Sequence, residues 1–218
     1  MPPSLDVQGV LTESRLSMNT TTNLANGRTT RSRHIPGEAG LWVFIMGDML
    51  IFALFFYVFV FYRAQNVELF RQAQSAMNPA YGALFTALLL ISSLLVVLAV
   101  RAVRSAKPAM APRLISWASL FGAAFVVVKF FEYRGKIAAG ITPISNEFSS
   151  FYFVYTGVHL IHVLIGLVVL RFIRKKMLTL QSTARSRSDL VMIEGGACYW
   201  HMVDLLWVVL FALLYLKG

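Results

Sequence analysis

Charge is scarce in this chain. Asp, Glu, Lys and Arg make up 14% of its 218 residues, where a soluble domain carries about a quarter. With 57% hydrophobic residues, the deficit excludes an ordinary soluble globule and points to lipid as the solvent. Cysteine is nearly absent: Cys198 stands alone, which excludes an intrachain disulfide and a thiolate zinc cluster. It lies in an apolar run and reads as a small buried helix residue. Acidic residues number 10 against 20 basic ones. In a soluble protein that excess would raise nucleic acid as a partner. Here the cations sit in connections between apolar runs, so no nucleic acid is expected and the charges report orientation. Residues Met1 to Gly37 lack an apolar core of signal-peptide length, so no cleaved leader is expected.

What is present is a set of five long apolar runs, at about 40–62, 81–103, 114–133, 149–172 and 192–216. A helix rises about 1.5 Å per residue, so each run reaches across or nearly across a hydrocarbon core of about 30 Å. The predicted fold class is all-α: a polytopic membrane protein, a five-transmembrane-helix bundle over residues 38–218. Residues 1–37 are rich in Ser, Thr, Asn and Arg and show no period. They are expected to form a disordered basic tail, in which His34 is a solvated loop residue.

Five spans put the termini on opposite sides. The amino-terminal side holds Arg15, Arg28, Arg31, Arg33, Arg101, Arg104, Lys107, Arg113, Arg171, Arg174, Lys175, Lys176, Arg185 and Arg187. The other side holds Arg63, Arg71, Arg134, Lys136 and Lys217. The bias predicts an inside amino terminus and an outside carboxyl terminus.

Against this apolar background the polar residues stand out. Asp48 lies about 12 Å into the first span, where a carboxylate must be protonated, paired or beside water. A structural hydrogen bond and a proton-handling role are both open. The fourth span carries His159 and His162 on a stripe with Thr156 and Gly166, as helix contact in lipid selects. In the last span Glu194, Cys198, His201 and Asp204 are spaced four, three and three, which puts them on one stripe. His201 and Asp204 are expected to bond one another. The fourth and fifth spans are antiparallel neighbours, so these groups are expected to meet in one buried polar cluster. Lys129 and Glu132 pair along one face near the end of the third span and read as a snorkelling surface pair. Ser92 and Ser93 read as bonded to local carbonyls.

Two functions follow from such a cluster. It can lock helices together as a structural network. Alternatively, His159 or His162 with His201 would ligate a haem in a small b-type electron carrier, although Asp204 competes for His201. A transporter finds no support, because no inverted repeat or broken helix pair is visible.

Tyr155-Thr-Gly-Val-His-Leu-Ile-His-Val-Leu-Ile-Gly166 resembles the TG-x-H-x-x-HV-x-x-G helix of cytochrome c oxidase subunit III. Glu194-Gly-Gly-Ala-Cys-Tyr-Trp-His-Met-Val-Asp-Leu-Leu-Trp207 resembles that family's E-x4-YWH-x-VD-x-x-W segment, and Glu132-Tyr133 its EY pair. The resemblance covers about residues 37–218. It implies a non-catalytic subunit with no haem, metal or other cofactor of its own. It also implies bound phospholipid, packing on the haem-bearing subunit I of a haem–copper oxidase, and support of proton uptake there. On this reading Asp48, Glu132, His159, His162, Glu194, His201 and Asp204 are proton-handling or structural polar residues, and none is catalytic. Two features depart from the common mitochondrial form: five helices stand where it has seven, and Asp48 stands where it has Glu. The short form and the Gly37-Glu-x-Gly-x-Trp42 opening also resemble the subunit-III-like proteins that accompany bacterial nitric oxide reductases. Those reductase subunits are therefore the alternative partner, and a bacterial inner membrane is the expected location.

Overall fold

The computed structural model describes residues 39–75, 77–105, 108–179 and 187–216. The basic tail, His34 and most of the connection before the last span lie outside the described residues. Among the described residues there are six α-helices, one 3-10 turn at Pro108–Met110 and no strand. The helices are α1 Ala39–Gln65, α2 Val67–Ser75, α3 Pro79–Arg104, α4 Ala111–Ala138, α5 Glu147–Thr179 and α6 Arg187–Tyr215. All but α2 are long and apolar enough to cross a membrane.

Each long helix outruns its expected span, because polar residues taken as interface loops continue the helical turns. The extension is largest in α4, which runs to Ala138 rather than Tyr133, and in α5, which runs to Thr179 rather than Phe172. The start of α3 follows local chemistry. Asn78 accepts a bond from the Ala80 amide at 3.0 Å, and Pro79 occupies the first turn, where a missing amide hydrogen costs nothing.

Helices α3, α4, α5 and α6 form a four-helix ring, each packed on the next, with α6 returning to α3. Seams of three- and four-residue spacing build its interior. On α4 the seam is Ile115, Ala118, Gly122, Phe125, Lys129 and Glu132. On α5 it includes Tyr152, Tyr155, His159, Val163, Gly166 and Leu170. Trp200 of α6 lies across the middle. A Cβ on Gly166 would stand 2.6 Å from its ring, and one on Gly122 2.8 Å. Both glycines are therefore the space into which the indole fits.

Helix α1 lies outside the ring and touches it by a narrow stripe: Ile45, Phe52 and Phe59, seven residues apart, are buried. Phe59 enters a group of rings with Phe70, Phe148, Phe151 and Tyr155. The short α2 caps one end of the ring. Its Phe70 and Gln74 are buried, and the Gln74 amide donates to the Leu213 carbonyl at 2.7 Å. On its exposed side, a bond from Gln72 and the neighbouring Arg71 hold the Glu68 carboxyl below its usual range.

Candidate functional site

The polar residues expected to meet in one cluster do not: His162, His201 and Glu194 turn to different partners. With Lys129 and Glu132 they make three groups of polar contacts that join helix to helix. The first joins α1 to α5. His162 Nε2 stands 3.0 Å from Asp48 Oδ2, and His162 Nδ1 is 2.8 Å from the Val158 carbonyl. A carbonyl only accepts, so Nδ1 carries a hydrogen. Opposed lone pairs would repel across 3.0 Å. A proton therefore resides on Nε2 or on the carboxyl, and in either form the pair has no net charge. The approach is oblique, and Asp48 Oδ2 has no well-directed hydrogen bond, so the two side chains meet in a close polar contact. Tyr155 adds a bond from its hydroxyl to the Phe55 carbonyl, and its ring stacks on Phe55 at 5.2 Å.

His159 departs from His162, although both lie on the stripe expected to be shared. It is fully buried in the ring interior, against Phe125 at 5.8 Å and Trp207 at 5.2 Å. Neither of its nitrogens has a hydrogen-bond partner. A sixty-degree step around the helix separates the two imidazoles, enough to send one to α1 and the other inward.

The second contact joins α3 to α6. His201 Nδ1 is 2.6 Å from Ser93 Oγ, and the Asp204 carboxyl lies near the same serine. His201 thus bonds a serine on the facing helix in place of the expected Asp204. Ser92 likewise reaches across, from α3 to the Ala118 carbonyl of α4, at 2.8 Å. The serine pair binds helix to helix and not to its own turn. Glu194 lies two turns nearer the start of α6 and pairs with Arg104 at 2.7 Å. That contact is largely solvated on the arginine side and worth little.

The third contact overturns the surface reading of Lys129 and Glu132. Lys129 is completely buried, and its ammonium donates to Glu132 at 2.7 Å, Tyr152 at 2.9 Å and Tyr215 at 3.1 Å. Tyr215 in turn donates to Glu132 at 2.9 Å. The rings of Phe85, Tyr133, Tyr152, Trp207 and Tyr215 surround the ammonium at 4.7–5.7 Å. All three ammonium hydrogens are used, so the charge is balanced without water. The pair faces inward because it continues the α4 seam, one and two turns beyond Phe125. The signal was available in that spacing. Tyr152, Tyr215 and Ser93 had no such signal, since an isolated tyrosine or serine in an apolar run has no direction until its neighbours are placed.

This geometry disperses the ligand set of the b-type haem alternative. His162 turns to α1, His201 turns to α3, and rings enclose His159. Among the described residues no group of three or more His, Cys, Asp or Glu side chains is arranged to hold a metal ion.

The fold and these contacts define a multi-pass helical membrane protein whose buried polar groups join helix to helix. The profile of the cytochrome c oxidase subunit III family matches residues 17–218. The chain therefore belongs to the cytochrome c oxidase subunit III family, the third subunit of haem–copper oxidases. It is 28% identical over 181 residues to cytochrome bo(3) ubiquinol oxidase subunit 3 of Buchnera aphidicola subsp. Acyrthosiphon pisum, covering 82% of this chain and 85% of that one. It is 30% identical over 185 residues to cytochrome c oxidase subunit 3 of Corynebacterium diphtheriae, covering 82% and 86%. A third relative, heme-copper oxidase subunit I+III of Aeropyrum pernix, is 27% identical over 191 residues, which span 82% of this chain and 22% of that protein.

Proposed function

We propose that this chain is an accessory subunit of a bacterial terminal oxidase, seated in the inner membrane with its amino terminus in the cytoplasm. It does no redox chemistry itself. It packs on the haem-bearing subunit I, supports that subunit's assembly and proton uptake, and holds phospholipid. The family match over residues 17–218 carries the reading. The third relative, named as subunits I and III together, supports subunit I as the partner. The relatives named above are all oxidase subunits, which favours an oxidase over a nitric oxide reductase. The excess of cations on the amino-terminal side supports the orientation.

Two features bear on the finer roles. A groove of about 840 Å³ runs between α1, α5 and α6, lined by Leu41, Val169, Phe172, Ile173 and Met192. The Lys176–Asp189 pair, 2.7 Å apart, stands at its edge. An apolar body with an ion pair at its mouth suits an acyl chain and a polar headgroup. The Asp48–His162 pair holds one proton at bilayer depth, and this supports a role in proton uptake.

Purification of the tagged chain in mild detergent tests the reading. A haem-bearing subunit should accompany it, and the separated chain should be colourless. Deletion should lower oxygen consumption and leave nitric oxide reduction unchanged. A Soret band from the chain alone, or loss of nitric oxide reduction only, would refute the proposal.

A further inference from the structure

Three histidines lie within the described spans, and their nitrogens are treated differently. His159 is sealed among rings. His162 has a partner on each nitrogen. His201 has Ser93 on Nδ1, but its Nε2 has no described partner, and the residue is only half-buried. It sits at the midpoint of α6, 14 residues from each end, and the imidazole edge therefore opens outward at the depth of the lipid tails. Leu90 and Leu205, one turn away on α3 and α6, are 49% and 52% exposed and mark the same outer face. Asp204 is more than nine-tenths buried beside this seam, and its Oδ1 has no hydrogen-bond partner.

Hydrocarbon cannot satisfy the half-buried His201 edge, and an unmet polar group there costs several kcal/mol. A second protein surface can. We infer that the outer seam between α3 and α6, at the level of Ser93, His201 and Asp204, is where a transmembrane helix of the haem-bearing subunit docks. That helix presents a hydrogen-bonding side chain to His201 Nε2. The inference rests on the oxidase-subunit reading above, which makes subunit I the occupant. The half-buried Cys198, one turn from His201, adds a small side chain that lets a helix approach closely.

Photocrosslinking in the assembled complex tests this. Benzoylphenylalanine is placed at Leu90, at Leu205 or, as a control, at Val127, which is 53% exposed on α4. The haem-bearing subunit should crosslink from Leu90 and Leu205 and not from Val127. In parallel, His201→Phe should retain about tenfold less haem-bearing subunit per tagged chain, the loss of one buried partner. The melting midpoint of the separated variant chain checks that it folds. Suppose the haem-bearing subunit co-purifies but crosslinks from neither Leu90 nor Leu205, or these positions capture only lipid or a second copy of this chain. The docking face is then wrong and the oxidase reading stands. If no haem-bearing subunit co-purifies, both fall.

Discussion

Lys129→Met should unbalance the ring interior more than any other single polar substitution. It leaves the Glu132 carboxylate buried at 9% exposure, with one tyrosine hydroxyl in place of a cation. At 2.7 Å the lost attraction is about 6 kcal/mol for an effective dielectric of about 20. Relief from desolvating the ammonium returns part of it, and breaking one side of a buried pair typically costs about 3–5 kcal/mol. Glu132→Gln should cost less. The ammonium keeps two phenol oxygens and five surrounding rings, and a desolvated cation–π contact is worth about 2 kcal/mol. The double variant Lys129→Met/Glu132→Gln removes both charges and should recover at least about 2 kcal/mol of the sum of the single costs. The single cysteine supplies the assay. Half-buried Cys198 reacts with a thiol dye as the bundle opens, so dye fluorescence against temperature gives the melting midpoint in detergent. At about 2–4 °C per kcal/mol, Lys129→Met should lower the midpoint by ~6–20 °C. A midpoint within about 1 °C of the parent, or a double variant no better than the sum of the singles, would show that the pair is not the balanced buried contact described here.

Gly166→Ala should destabilise by about 1–3 kcal/mol, because its methyl group meets the Trp200 ring at 2.6 Å. Gly157→Ala, with nothing within 4 Å of its added carbon, should be neutral or better in the same melt, and equal losses at the two sites would contradict the packing. Asp48→Asn keeps a donor for a neutral His162 Nε2 but removes the proton-holding carboxyl. Stability should stay within about 1 kcal/mol of the parent while proton uptake by the assembled oxidase slows. Unchanged proton pumping and unchanged turnover-dependent inactivation would exclude the proton role. Gln74→Ala unties α2 from the Leu213 carbonyl, at a cost of about 1 kcal/mol, and limited proteolysis near residues 66–78 should accelerate.

Composition and run length alone determined that this chain crosses a membrane five times as helices. In lipid the backbone must satisfy itself, and an apolar run of sufficient length has no other solution. The motifs around His159, His162 and His201 were also enough to indicate the family. Helix ends were less legible. Hydropathy locates the edge of the bilayer, while hydrogen bonding continues a helix past it, as α4 and α5 do.

Partner choice belonged to the tertiary structure. A stripe on one helix says which side chains lie together, but not which neighbour faces them, and near the edge of two faces a single step changes the answer. His159 and His162 are three residues apart and serve different helices. His201 and Asp204 share a stripe, yet His201 bonds a serine on α3 and not Asp204. Lys129 could have turned to the membrane surface or to the core. The interior won because five rings, two hydroxyls and a carboxylate from four helices converge there, and no stretch of sequence contains that convergence.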